Sequence, residues 1–137
     1  MRGRWNHNSH YHRLVLKATR PGATRALDVG CGEGALLKDL VPKVETVVGI
    51  DADPAILRQA AQAAPTATLI NGDFLTYAFE PESFDLVAAI ASTHHMALHA
   101  ALLRAKELVR PGGAVVVIGI AQPAAVRDYL VESAGVP

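Results

Sequence analysis

Residues 25–35 read "RALDVGCGEGA". A short apolar run holds one acid, Asp28, and leads into a turn with glycine at Gly30, Gly32 and Gly34. The run is expected to be a first strand. The turn is expected to let a ligand come close to the backbone, because glycine removes the side chain and tolerates a left-handed conformation.

Outward from this turn, strand-like and helix-like segments alternate. Residues 33–41 suit a helix, and "VETVVGID" (44–51) is a strand rich in β-branched residues. Residues 53–64 form a second helix, with Asp53 as N-cap and Pro54 at the first helical position. "TATLIN" (66–71) and "SFDLVAAIA" (83–91) are the third and fourth strands, the latter apolar enough to be buried on both faces. Residues 95–109 place Leu98, Leu102, Ala105 and Val109 on one helical face. Pro111-Gly112-Gly113 stops that helix, "AVVVIGI" (114–120) is a fifth strand, and residues 123–135 are expected as a last helix closed by Gly135. Strands separated by helices imply right-handed crossovers, hence an α/β fold with a doubly wound, mostly parallel sheet. In such sheets the ligand sits beyond the carboxyl ends of the strands, near the switch in strand order.

The 137 residues suffice for one domain of this kind, with residues 1–24 as a basic arm and 25–137 as the sheet domain. Formal net charge is zero but uneven. Six basic residues and no acid precede Asp28 (Arg2, Arg4, Arg13, Lys17, Arg20, Arg25), while seven basic residues and thirteen acids make up the rest. The arm is therefore expected to fold back over the acidic body rather than to hold nucleic acid. The single cysteine, Cys31, excludes an internal disulfide, and no run approaches a membrane span, so a cytoplasmic setting is expected.

Two ligands compete for the glycine turn. Gly30 to Ala35 can be written G-x-G-x-x-A, and Asp51 stands about where a dinucleotide-binding protein holds a ribose, which keeps an NAD(P)-dependent oxidoreductase open. Asp28 argues against it, since a carboxylate repels a pyrophosphate but attracts an ammonium or sulfonium. "NGDF" (71–74) adds an acid that can accept from an exocyclic amine, beside a ring that can cover a purine. Acids at three strand ends describe a cationic amino acid joined to adenosine, as in S-adenosylmethionine (SAM).

"LDVGCGEG", "VVGIDAD", "NGDF", "FDLVAAIASTHHM" and "LVRPGG", in this order, resemble the class I (Rossmann-like) SAM-dependent methyltransferases of the small-molecule type. The resemblance implies that Asp28 and the backbone at Gly30 and Gly32, beside Cys31, hold the methionine end. It implies that Asp51 takes the ribose hydroxyls, that Ala52 packs on the adenine, that Asp73 accepts from the adenine amine and that Phe74 lies along the ring. Ala91 completes this cofactor set.

On the acceptor side, His94 and His95 are the candidate catalytic bases, with His10 and Tyr11 of the arm as further substrate-side candidates. Trp5 is a further apolar wall. No metal is expected, although His10 and His12 alternate. The Asn-Pro-Pro-aromatic motif of nucleobase and many protein methylases is absent, and Ser92-Thr93 stand in its place, so the expected acceptor is a small molecule. A module that binds SAM without its own turnover, needing a partner, is the alternative from another class. The resemblance also implies two further strands after the fifth, which this chain is expected to lack. Residues 115–118 are then expected on an open sheet edge, which a homodimer partner or another chain would cover.

Overall fold

A sheet in the order β3-β2-β1-β4-β5-β6 organises the chain. Its strands are Arg25–Val29 (β1), Thr46–Asp51 (β2), Thr68–Asn71 (β3), Phe84–Ile90 (β4), Val109–Ala121 (β5) and Ala125–Ser133 (β6). The structure, a computed structural model, describes residues 7–90, 98–121 and 125–133. The helices are His7–Ala18 (α1), Ala35–Leu40 (α2), Pro54–Ala63 (α3) and Leu98–Leu108 (α4).

The first five strands are parallel. Order runs outward from β1 to β2 and β3, then returns to the other side of β1 for β4 and β5. Right-handed crossovers in the two directions put their helices on opposite faces. On one face, Leu36, Leu37 and Leu40 of α2 and Leu57 and Ala60 of α3 pack with Tyr11 and Val15 of α1 in a single apolar cluster. On the other, Ala101, Ala105 and Leu108 of α4 pack against Leu27, Val87 and Val115. The β3–β4 connection carries no regular helix. Phe74, Leu75 and Phe79 cover the sheet there, and Phe79 meets Phe84 edge-on at 5.7 Å.

Local signals explain the elements. Asp53 caps α3, its carboxylate accepting from the Ala55 N–H at 2.9 Å, and Pro54 follows at the first position. The central strands are apolar on both faces, and β4 is buried from Phe84 to Ala89.

Two expectations need correction. Residues 125–133, read from sequence as helix, form β6, antiparallel to β5, with Val116 opposite Val131 and Ile118 opposite Tyr129. A non-local partner decides this: the open edge of β5 supplies a ladder of backbone groups that outweighs weak local helix signals. The same pairing removes the expected open edge at 114–120, because a strand of this chain covers it. In addition, β5 begins before the Pro-Gly-Gly stretch. Phe84 is opposite Val109 but Leu86 is opposite Ala114, so residues 110–113 bulge against Asp85. A Cβ at Gly113 would stand 2.7 Å from the Asp85 carbonyl oxygen, which restricts that position to glycine.

The basic arm docks on the body. His12 Nδ1 lies 2.7 Å from Asp39 Oδ2 of α2. Arg20 reaches buried Asp85 at 3.3 Å, and Arg110 reaches it at 3.0 Å. Asp85 also accepts from the N–H groups of Thr24 (2.7 Å) and Arg25 (3.1 Å), tying the end of the arm to β1 and β4.

Candidate functional site

Because β1 to β4 are parallel, their last residues, Val29, Asp51, Asn71 and Ile90, lie at one end of the sheet. The glycine turn sits at the switch in strand order, between β2 and β4. Its start is pinned to β2 by two bonds, from the N–H groups of Gly30 (2.8 Å) and Cys31 (3.1 Å) to the Ile50 carbonyl. Gly30, Gly32 and Gly34 all have positive φ, at 67°, 57° and 92°. Their reasons differ. A Cβ on Gly32 would meet nothing within 4 Å, so this residue lies against open space, while one on Gly34 would come within 3.0 Å of Ala60 Cα. Gly34 thus serves the packing of α2 against α3, and Gly32 belongs to the open end.

Asp51, the last residue of β2, ties three segments together. One carboxylate oxygen accepts from Gly32 N–H at 2.9 Å and the other from Asp53 N–H at 2.9 Å. Its carbonyl accepts from the Asn71 side chain at 3.1 Å, which fixes the end of β3. Ala52 is exposed beside it.

Asp28 is 3% exposed and stands between Gly49 of β2 and Ala88 of β4. Burial, and then the charge of Asp51, push its carboxyl up to about 8. A buried acid under a glycine turn is poised to be compensated by a cation. Burial likewise raises the Cys31 thiol to about 12, helped by Asp28 and Asp51, so Cys31 is a packing residue without thiolate character at neutral pH.

At the end of β3, residues 73–77 make a helical turn in which Thr76 and Tyr77 donate to the Asp73 carbonyl at 3.1 and 2.8 Å. One Asp73 carboxylate oxygen caps the turn by accepting from Leu75 N–H at 2.9 Å. Phe74 departs from expectation. It is 4% exposed and packs in the core beneath the turn, so it supports the turn and offers a ligand little ring surface.

The structure therefore brings Asp28, Gly30, Cys31, Gly32, Asp51 and Ala52 together, with Asp73 on the adjoining strand end. Ala91, His94, His95 and Trp5 lie outside the described residues. Tyr11 is 1% exposed in the core with Val15, four residues on, so it faces the sheet and is no substrate-side wall. His10 is half-buried against it, with ring centroids 5.5 Å apart.

Three contributors escaped the sequence reading. A Cβ on Gly49 would fall 2.8 Å from Cys31 Sγ and 2.9 Å from Leu37 Cδ1, so Gly49 lets the glycine turn settle onto β2. The Tyr77 ring lies 3.2 Å from where a Cβ on Gly72 would stand. Arg104 of α4 donates to the carbonyls of Phe74 and Tyr77. A glycine inside a strand signals close approach of another segment, which could have flagged Gly49. Nothing local flags Arg104.

Comparison with known proteins identifies the scaffold. Residues 27–117 match the family described as a methyltransferase domain. An uncharacterised methyltransferase of Mycobacterium tuberculosis is 34% identical over 122 residues, covering 87% of this chain and 62% of the relative. Nocamycin O-methyltransferase of Saccharothrix syringae is 38% identical over 125 residues, covering 85% and 44%. The SAM-bound amino pentose methyltransferase of Micromonospora echinaspora superposes with a TM-score of 0.72 at 29% identity, over 89% of this chain and 54% of that one. The chain thus spans about two-fifths to three-fifths of the length of these relatives. With the parallel sheet, the glycine turn at the strand switch and acids at successive strand ends, the chain belongs to the class I, Rossmann-like methyltransferase family.

Proposed function

We propose that this chain binds SAM and serves the transfer of its methyl group to a small-molecule acceptor. The observation that carries the reading is the set of three carboxylates, Asp28, Asp51 and Asp73, at consecutive strand ends around a glycine turn with an open face. These acceptors fit the ligand. Buried Asp28 matches an ammonium or sulfonium, and its cost of ionisation is repaid by that cation. Asp51 retains lone pairs beyond its two backbone contacts for the ribose hydroxyls. Asp73 keeps one oxygen beyond the cap of its own turn, available to an exocyclic amine. A dinucleotide fits less well, because its pyrophosphate brings no cation to pair with buried Asp28 and would oppose its ionisation.

SAM supplies a methyl group already activated by its sulfonium. What remains for the protein is alignment of the acceptor and exclusion of water, effects that reach about 7–11 kcal/mol in well-oriented systems. A proton acceptor is needed only where the methylated atom carries a proton. His94 and His95, just after β4, and His10 of α1 are the proposed acceptor-side groups. The relatives named for a nocamycin and an amino pentose support a small-molecule acceptor. No described helix is long and apolar enough to cross a membrane, and a cytoplasmic setting is part of the proposal.

Calorimetric titration with SAM, its demethylated product S-adenosylhomocysteine and NADH tests the reading. The first two are expected to bind and NADH not. Asp51→Ala is expected to weaken SAM binding by roughly 1.5–3 kcal/mol, the size of hydrogen bonds to a charged group. Unchanged affinity in that variant, or preference for NADH, overturns the assignment. Binding without turnover of any acceptor would identify a SAM-binding module that needs a partner.

A further inference from the structure

The turn at residues 73–77 is closed on its N-terminal side by its own aspartate. On its other side stand the Phe74 carbonyl and the Tyr77 carbonyl, the latter also accepting from Phe79 N–H at 2.9 Å. Arg104 takes both. Its Nε donates to Phe74 O at 3.3 Å and its Nη2 to Tyr77 O, while Nη1 pairs with Glu107 at 3.1 Å one helical turn on. All three guanidinium nitrogens are engaged, and the side chain is 19% exposed. The helix that carries it is anchored on the sheet by Ala101, Ala105 and Leu108. The Asp73 turn is thus held by α4, the helix that follows the segment carrying His94 and His95.

We propose that Arg104 is a positioning residue for cofactor selection. By bridging two carbonyls of the turn, it sets the place of the Asp73 carboxylate and so the preference for a purine bearing a 6-amino group. The inference rests on the SAM reading above and deepens it. A guanidinium suits the task because its planar fork can hold two acceptors in a fixed relation, whereas an ammonium is a point charge. The position also links the adenine side of the proposed site to the helix that follows His94 and His95 in the chain, so loss of the bridge should affect cofactor recognition before it affects the sheet.

The test compares S-adenosylhomocysteine with its inosine counterpart, in which a carbonyl replaces the amine. The wild type is expected to favour the adenosine form at least ~10-fold, the order of one hydrogen bond to a charged group. In Arg104→Gln this preference should fall to about threefold or less, through weaker binding of the adenosine form. Arg104→Lys keeps the stem and the charge and reaches one carbonyl, so it serves where the glutamine variant does not fold, and it should recover only part of the preference. Glu107→Gln, which leaves both carbonyl contacts in place, should keep it. Equal weakening of both ligands in the Arg104 variants would make the residue a strut and overturn the proposal, as would wild-type preference. A wild type that binds neither ligand overturns the cofactor reading itself, which separates the two failures.

Discussion

Asp28 carries the sharpest chemistry at the residue scale. With its carboxyl raised to about 8 by burial and by Asp51, it is largely protonated at neutral pH in the free protein. A cation placed against it favours the ionised form, so binding should release a proton. Affinity for SAM is then expected to rise with pH between 5.5 and 7.5, by up to about tenfold per unit. That range lies below the titration of the ligand's own amine, near 7.7–8.0 in an unperturbed α-amino group. Titrations in buffers of different ionisation heat should register the released proton. Asp28→Asn should bind more weakly at the top of the range and lose most of the slope. An equal slope in wild type and variant would remove Asp28 from the methionine end. Its place two residues before Gly30 was legible in the sequence, but its depth was not: burial depends on β2 and β4 closing on both sides of it.

Among the elements, β6 shows what local sequence cannot decide. "PAAVRDYLVESAG" starts with proline, contains helix formers and ends near a glycine, all signs of a helix. Its Val126, Tyr129 and Val131 suit a strand equally well, and the choice falls to pairing with β5. By contrast, β1, β2, β4 and α3 were legible, because apolar runs and the Asp53–Pro54 start are written within each segment. Gly49 carried only the signal of a glycine inside a strand and Arg104 none, since their partners lie at Cys31 and Phe74, far away in the chain. If β6 guards the edge of β5, breaking it should expose that edge. Tyr129 and Leu130 stand opposite Ile118 and Val117, and replacing both by proline would disrupt this ladder, since one of two successive N–H groups of an antiparallel strand is donated to its neighbour. Amides of residues 115–118 should lose hydrogen-exchange protection on that side, and the variant should associate with rising concentration. Retained protection in a monomeric variant would mean that β6 is dispensable to the edge.

Over the whole molecule, two buried carboxylates at opposite ends of the sheet act with opposite signs. Asp28 at the ligand end is raised. Between about pH 4 and 8 its folded form holds more protons than the unfolded chain, so its contribution to stability declines as pH rises. Asp85, at the other end, is lowered: burial pushes it up, but the N–H groups of Thr24 and Arg25, the Thr24 hydroxyl and Arg110 outweigh that push. Its unfolded value is near 3.9, so its contribution is complete above about pH 4 and fades as pH falls through the lower folded value, where the unfolded chain binds the extra proton. Asp85 joins the arm, β1, β4 and the bulge of β5, which makes this acid limb a property of the whole fold. Asp85→Asn should therefore cost about 2 kcal/mol at pH 6, the order of hydrogen bonds to a charged group, since the arginines left behind stay open to water. It should also flatten the loss of stability below pH 4, measured by urea unfolding at several pH values. A variant as stable as wild type at pH 6, with the same acid limb, would show that the arginines and backbone amides around Asp85 are satisfied without its charge, and that the arm is held by its apolar face and the His12–Asp39 contact.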